Sequence, residues 1–283
     1  MKRRELASFP GAAVAWPLSA NTPPQAAPSN PVRQDWLDRR KEAILEPELP
    51  IVDPHYHLWE RRGWRYLLDE LLRDTDSGHN IVATVYVQAR SMYRDRGPVE
   101  MRTVGEAEFI NGVAAMSASG SYGKTRVCAG IAGHADLTLG GRVEPVLLAL
   151  GRAGGDRFRG IRHITAWDAS LPLNSAFPAP PRLLADRTFR EGFAVLSRMG
   201  LSFDAYLYHP QIGELATLAG VFPDTGIVLN HIGTPLGIGA YRGKHSEVFT
   251  SWAASIKALA ACQNVSIKIG GLGMRTTGFG FDE

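Results

Sequence analysis

From residue 50 onward, short apolar runs rich in β-branched residues alternate with longer segments in which apolar residues recur every three or four positions. The short runs are typical of strands and the longer ones of amphipathic helices. Seven strands are predicted, over Ile51–Leu58, Ile81–Gln88, Arg126–Gly133, Phe158–Thr165, Ser202–His209, Gly226–His231 and Val265–Gly270. The clearest helices between them are predicted over Glu106–Ala118, Val143–Leu150, Leu183–Met199, Ile212–Ala219 and Ser246–Ala261. This alternation predicts βα units around a parallel sheet.

The predicted strands end in polar side chains. In chain order these are His55 and His57, Gln88 and Arg90, His134 and Asp136, Arg162 and His163, His209, His231 and Lys268. A TIM-type (β/α)8 barrel builds its active site at the carboxyl ends of all its strands, whereas a doubly wound sheet does so only at the switch point. The pattern therefore favours a TIM-type barrel, and a chain of 283 residues is long enough for one.

The first predicted strand carries the most informative fragment. Asp53, His55 and His57 occupy every second position, so they share one face of the strand. Two imidazoles about 7 Å apart can converge on one divalent ion or on one anionic substrate oxygen. The alternative is a pair of surface histidines near a turn, which Pro54 favours because proline is confined to edge strands and strand ends.

Three later strand ends offer further candidates. His231 follows an apolar run and precedes a Gly-Thr-Pro turn, which makes it a candidate general acid or base. Arg162 and His163 cannot both face the inside of a barrel, because successive strand side chains point in opposite directions. His209, before Pro210, is either a ligand held by a rigid turn or a structural histidine.

Five segments in this order resemble a known family: Asp53-Pro54-His55-Tyr56-His57-Leu58-Trp59, Phe158-Arg159-Gly160-Ile161-Arg162-His163, Leu207-Tyr208-His209-Pro210-Gln211, Leu229-Asn230-His231-Ile232-Gly233-Thr234-Pro235 and Lys268-Ile269-Gly270-Gly271-Leu272. The chain resembles the amidohydrolase-related (amidohydrolase 2) proteins of the metal-dependent hydrolase superfamily, in the lactonase-like branch of fuconolactonases and pyrone dicarboxylate lactonases. The resemblance implies a hydrolase that opens a small carboxylated or sugar-derived lactone with activated water. It also implies one divalent metal ion, zinc first, or in some members no metal.

The resemblance also assigns roles. It makes His55, His57 and His209 metal ligands, or makes the first two hydrogen-bond donors where no metal is used. It favours Arg162 for holding a substrate carboxylate, with His163 as the alternative if the register is offset by one.

In the family, an aspartate at the end of the eighth strand activates water, and this chain stops before reaching one. We therefore expect a C-terminally truncated barrel without its eighth strand, and a polypeptide that is weakly active or inactive alone. Two alternatives stay open, a non-catalytic barrel remnant that binds a metal or a small acid, and a metal-dependent decarboxylase.

Composition narrows the partners. The chain is 45% hydrophobic and 21% charged with a formal net charge of +3, and no basic patch stands out. These values indicate a globular protein with a small-molecule substrate and no nucleic-acid or membrane partner. They leave open whether the chain forms a homo-oligomer. Cys128 and Cys262 fit buried thiols rather than a disulfide framework or a metal knuckle.

The N-terminal residues 1–48 are predicted to be a tail, and residues 49–283 the barrel domain. The tail begins with Lys2-Arg3-Arg4 and resembles a twin-arginine export signal, which would lead to a periplasmic location. The first expectation is a disordered tail on a cytoplasmic protein, and export to the periplasm is the alternative. Residues 21–31 have the composition of a linker, and Gln34–Ile44 is predicted as an amphipathic helix.

Overall fold

The computed structural model describes Asp35 and residues 38–61, 63–171 and 178–279. Seven parallel strands form one curled sheet. They are β1 Ile51–Tyr56, β4 Ile81–Val87, β5 Arg126–Gly133, β6 Phe158–Ile164, β7 Ser202–Tyr206, β8 Ile227–Leu229 and β9 Val265–Ile267. Each strand pairs with the next in this order. Two short strands, β2 Trp59–Arg61 and β3 Trp64–Tyr66, make a separate antiparallel pair.

Helices separate the strands of the sheet, as the alternation predicted. They are α1 Leu68–Thr75, α2 Val104–Ala118, α3 Glu144–Gly154, α4 Arg187–Arg198, α5 Ile212–Val221 and α6 His245–Leu259. The fold is an incomplete TIM-type α/β barrel, which confirms the predicted fold class. In the described residues no strand joins β9 to β1, so the sheet stays open between them.

The core lies between the sheet and its helices. Phe193 of α4 meets Phe203 of β7 at 5.2 Å and Phe222 after α5 at 4.7 Å between ring centroids. Phe193 and Phe203 are fully buried, and so is Ile161 on the neighbouring strand β6. Apolar burial of this kind stabilises the central strands. Helices cover these strands, and their sequences are almost continuous apolar runs.

Several predicted boundaries were wrong for local reasons. The predicted helix Leu183–Met199 is a short turn, Leu183–Ala185, followed by α4, because Asp186 is extended and its carboxylate accepts the Phe189 N–H as an N-cap. Of the predicted helix Gln34–Ile44, residues 38–44 are not helical, and residues 34, 36 and 37 lie outside the described part.

The sequence pattern missed the β2–β3 pair and α1. Each of these strands has three residues, which is too short to show an alternating period. The pair is held by Trp59 against Trp64, with ring centroids 4.3 Å apart, and by Arg61 over the Trp59 ring at 4.6 Å.

Both open sides of the sheet expose apolar residues. Val52 of β1 is 53% exposed, and Ile269 just beyond β9 is 89% exposed. The predicted export signal lies outside the described residues, and so does most of the predicted tail. Within the part of the chain that is described, no helix is both long and apolar enough to cross a bilayer.

Candidate functional site

Three histidines meet inside the curl of the sheet. The His55 ring centroid lies 5.0 Å from that of His57 and 4.6 Å from that of His231. The alternation along β1 puts His55 and, just beyond the strand, His57 on one face, as predicted, and the turn after β8 brings His231 to them. Tyr206, at the end of β7, closes one side with its ring 5.5 Å from His231.

Two cations face the middle histidine. Arg162 Nη1 lies 3.3 Å from His55 Nε2, and Lys268 Nζ lies 3.5 Å from His55 Nδ1. Lys268 also donates to the carboxylate of buried Asp204 at 2.6 Å, and Asn230 Nδ2 donates to the same carboxylate at 2.9 Å. We call His55, His57, Arg162, Asp204, His231 and Lys268 the inner cluster.

A strained backbone presents His231. Its φ is 51°, that of Ile232 is 49° and that of Thr234 is 43°, so three non-glycine residues adopt the left-handed region in one short segment. This conformation is costly for a β-branched residue such as isoleucine, and such outliers concentrate at functional sites. The predicted strand Gly226–His231 therefore ends at Leu229, and the turn that replaces it aims the ring inward.

Gly271 makes room for the same ring. A Cβ built on Gly271 would lie 2.7 Å from His231 Cβ and 2.8 Å from its Cγ and Nδ1, and the φ of Gly271 is 76°. Only glycine satisfies both the backbone conformation and the close approach. This explains the second glycine of the segment that follows Lys268, where the predicted strand Val265–Gly270 ends early at Ile267.

Burial keeps the imidazoles neutral. Burial, reinforced by the charge of Arg162, lowers the pKa of His57 to about 3 and that of His231 to about 4. Burial and the charges of Arg162 and Lys268 hold the pKa of His55 far below its usual value. With Arg162 and Lys268 positive and Asp204 negative, the inner cluster carries one net positive charge at neutral pH, which suits an anionic ligand.

The three predicted metal ligands do not converge. His209 Nδ1 accepts the Leu236 N–H at 3.2 Å, so in the neutral ring Nε2 holds the proton and no lone pair remains for a metal. Its ring packs against Tyr241 at 5.1 Å rather than against His55 or His57. These contacts leave His209 outside the inner cluster, and its role as a metal ligand stays a prediction.

The first-strand pair does not fit a divalent ion as arranged either. His57 Nδ1 donates to the Val87 carbonyl at 2.7 Å, which leaves Nε2 free as a ligand. His55, in contrast, has a cationic donor at each nitrogen and only one lone pair in its neutral form. Among the described residues no group of three or more histidine, cysteine or acidic side chains could hold a metal ion.

Arg162 and His163 face opposite ways, as their positions on a strand require. His163 lies outside the inner cluster, with its ring centroid 5.3 Å from His134 and 5.3 Å from Phe189 of α4. It also lines a cleft of about 1080 Å³, together with Arg90 and Tyr93 from the loop after β4. The His134 ring joins the two regions, because its Nδ1 donates to the backbone carbonyl of Arg162 at 3.0 Å.

Sequence reasoning missed Asp204 and Asn230. Both are buried, and one carboxylate oxygen of Asp204 accepts from both Asn230 Nδ2 and Lys268 Nζ. The available signal was Asp204 itself, an acidic residue inside the apolar run Leu201-Ser202-Phe203-Asp204-Ala205-Tyr206-Leu207, since an acid is rarely buried unless it is paired.

Comparisons with known proteins agree with this fold. The uncharacterized protein y4mH of Sinorhizobium fredii is 29% identical over 255 residues, which cover 80% of this chain and 74% of that protein. An amidohydrolase from Burkholderia multivorans with bound zinc is similar with a TM-score of 0.56 and 23% identity, over 78% of this chain and 69% of that one. A probable 2-pyrone-4,6-dicarboxylic acid hydrolase from Acinetobacter baumannii with citric acid bound gives a TM-score of 0.50 and 14% identity, over 78% and 70%.

The fold and these likenesses define an incomplete TIM-type α/β barrel. The sequence profile of the amidohydrolase family (Amidohydro_2) matches residues 52–282. The chain belongs to that family, as its motifs indicated.

Proposed function

We propose that this chain hydrolyses the ester bond of a small carboxylated lactone, with the inner cluster as its active site. The observation that carries the proposal is the pair of cations on His55, with two neutral histidines beside it. The bound citric acid and the 2-pyrone-4,6-dicarboxylic acid hydrolase description belong to the Acinetobacter protein, and they support an anionic ring as the substrate class.

Arg162 is the substrate-holding group in this proposal. Its side chain is buried, Nη2 donates to the Gln88 carbonyl and Nη1 faces His55, so the guanidinium is held in one orientation. A fixed guanidinium suits a carboxylate or the oxyanion that forms when water adds to a lactone carbonyl. A donor placed on such an oxyanion is worth about 100-fold or more in rate.

His231 is the proton acceptor. Burial and Arg162 lower its pKa to about 4, so the ring is neutral at pH 7 and holds a lone pair for a proton of the attacking water, as a weaker base than a free imidazole. It returns that proton to the ring oxygen as the acyl–oxygen bond breaks, which leaves a hydroxy acid. No step needs a metal ion, since the donor set does not fit one.

The direct test is a panel of carboxylated lactones assayed for acid release with the wild-type chain, His231→Asn and Gly270→Ala. We expect turnover by the wild type and Gly270→Ala, and at least a 100-fold loss of kcat/KM in His231→Asn. Equal rates in wild type and His231→Asn would refute the role of His231. Carbon dioxide release from any member of the panel would instead indicate decarboxylation.

A binding-only function is the second candidate, and one observation favours it. The carboxylate of the inner cluster, Asp204, is committed to Lys268 and Asn230 and is not free to activate water. Calorimetry with citrate separates the two. Binding without hydrolysis of any lactone in the panel would support a small-acid binder.

A further inference from the structure

Glu106 is a buried acid with no part in the chemistry described so far. It lies in the first turn of α2, on the outer side of the sheet, and is 1% exposed. One of its oxygens, Oε1, accepts three hydrogen bonds, from Tyr86 Oη, Ala89 N and Ser91 N, each at 2.8 Å. A buried carboxylate that takes three donors on one oxygen fixes whatever carries those donors.

The donors belong to the loop after β4, which has an unusual backbone. Arg90 has a φ of 60° and Met92 a φ of 52°, so two non-glycine residues lie in the left-handed region. The N–H groups of Ala89 and Ser91, on either side of Arg90, point at the same oxygen, as in the anion-binding nests that such a left-handed residue creates. Without the carboxylate this conformation loses its main compensation.

The carbonyls of the same segment hold three side chains at the site. Val87 O accepts from His57 Nδ1 at 2.7 Å, Gln88 O from Arg162 Nη2, and Ala89 O from Arg61 Nη2 at 2.9 Å. Three successive carbonyls thus orient two cations and an imidazole. The backbone that carries them turns directly onto the Glu106 oxygen.

We propose that Glu106 is a positioning residue: by fixing the loop after β4 from behind, it holds the carbonyls that orient Arg162, His57 and Arg61. It touches no substrate and acts only through this backbone. The kinetic consequence rests on the proposed function. The expected effect of Glu106 on the orientation of Arg162 does not rest on that function.

Glu106→Leu removes the acceptor, and Glu106→Gln keeps an oxygen where the three donors converge. Glu108→Leu is the matched control, because Glu108 lies two residues further along α2 and its half-exposed side chain pairs with Arg94. The first readout is the Arg162 guanidinium signal in ¹⁵N–¹H spectra, assigned by its loss in Arg162→Lys. A guanidinium held by the Gln88 carbonyl gives distinct Nη signals, and a released one gives an averaged signal.

We expect distinct Arg162 signals in the wild type, Glu106→Gln and Glu108→Leu, and an averaged signal in Glu106→Leu. In the lactone assay, kcat/KM of Glu106→Leu should fall about 100-fold, the loss associated with a displacement of about 1 Å. Glu106→Gln should restore most of it. Distinct Arg162 signals in a folded Glu106→Leu would overturn the proposal, whatever the lactone assay shows.

If Glu106→Leu does not fold, Glu106→Asp takes its place, because it keeps the carboxyl group and withdraws the acceptor by one methylene. An Arg162 signal unchanged in Glu106→Asp, with the loop amides of Ala89 and Ser91 exchanging faster, would also overturn the proposal. If no lactone is turned over by the wild type, the proposed function fails, and the Arg162 spectra still decide the role of Glu106.

Discussion

Gly271→Ala is the sharpest perturbation of the site, because the three atoms nearest to the added Cβ all belong to His231, the proposed proton acceptor. The added Cβ would lie 2.7 Å from His231 Cβ, and ordinary contact begins at 3.4 Å. The His231 ring must therefore retreat by about 0.7 Å, or the Gly271 backbone must move by a similar amount. The φ of 76° adds a backbone penalty of about 1–2 kcal/mol for alanine.

The size of the effect follows from the displacement. A misplacement of about 1 Å costs on the order of 100-fold in rate, so we expect kcat/KM to fall by roughly 10- to 100-fold, or about 1.4–2.7 kcal/mol in activation free energy. Gly270→Ala is the matched control, since a Cβ there meets no atom within 4 Å and its φ is not positive. Thermal unfolding of both variants separates the backbone penalty from the displacement.

The assay is steady-state hydrolysis of the best lactone in the panel. We expect Gly270→Ala to match the wild type and Gly271→Ala to approach His231→Asn. If the two glycine variants have the same kcat/KM, then the His231 ring does not depend on this contact, and the reasoning about its placement is refuted.

Three further predictions concern stability, metal content and association. Burial lowers the pKa of His163 to about 3, against about 6.5 in the unfolded chain, so its contribution to the free energy of unfolding is full above pH 6.5 and is lost as the pH falls. Between pH 7 and pH 5 this loss is about 2 kcal/mol. In urea unfolding, His163→Gln should not show the loss, and a pH dependence equal to that of the wild type would contradict the burial argument. Because both nitrogens of His55 face cationic donors, elemental analysis should find less than one equivalent of zinc after purification and dialysis against zinc. One equivalent of zinc that disappears in the His55→Ala, His57→Ala double variant would contradict this expectation. Ile269→Lys should reduce concentration-dependent association in sedimentation experiments, because it places a charge on the open side of the sheet. Association equal to that of the wild type would exclude this side as the contact between two copies of the chain.

The fold was largely predictable because its strands are buried and its helices amphipathic. The apolar runs around Ile161 and Phe203 mark central strands, and the polar residues after them mark the end of the sheet where the site lies. The short strands around Trp59 and Trp64 carry no period, so only tertiary packing reveals them.

The site was predictable in part. The alternation around His55 fixes its face on the strand, and the opposite orientations of Arg162 and His163 follow from the same rule. The tautomer of His209 depends on a hydrogen bond from Leu236, 27 residues away in sequence, and no local pattern carries that information.

The placement of His231 shows the same limit. Its inward ring depends on positive φ values and on the space left by Gly271, which come from the close approach of two loops. The pairing of Lys268 with Asp204 likewise depends on strands that are distant in sequence and lie on either side of β8.

If Arg162 holds the carboxylate of a lactone in the inner cluster, its loss should matter most for a substrate that carries that charge. The most direct measurement is kcat/KM of the wild type and of Arg162→Gln for one lactone as its free carboxylate and as its methyl ester. We expect the wild type to prefer the carboxylate, and Arg162→Gln to lose at least 100-fold in kcat/KM on it but much less on the ester. Equal losses on both substrates would contradict the carboxylate-holding role of Arg162 and leave only a role at the oxyanion, and no loss on either would contradict both roles.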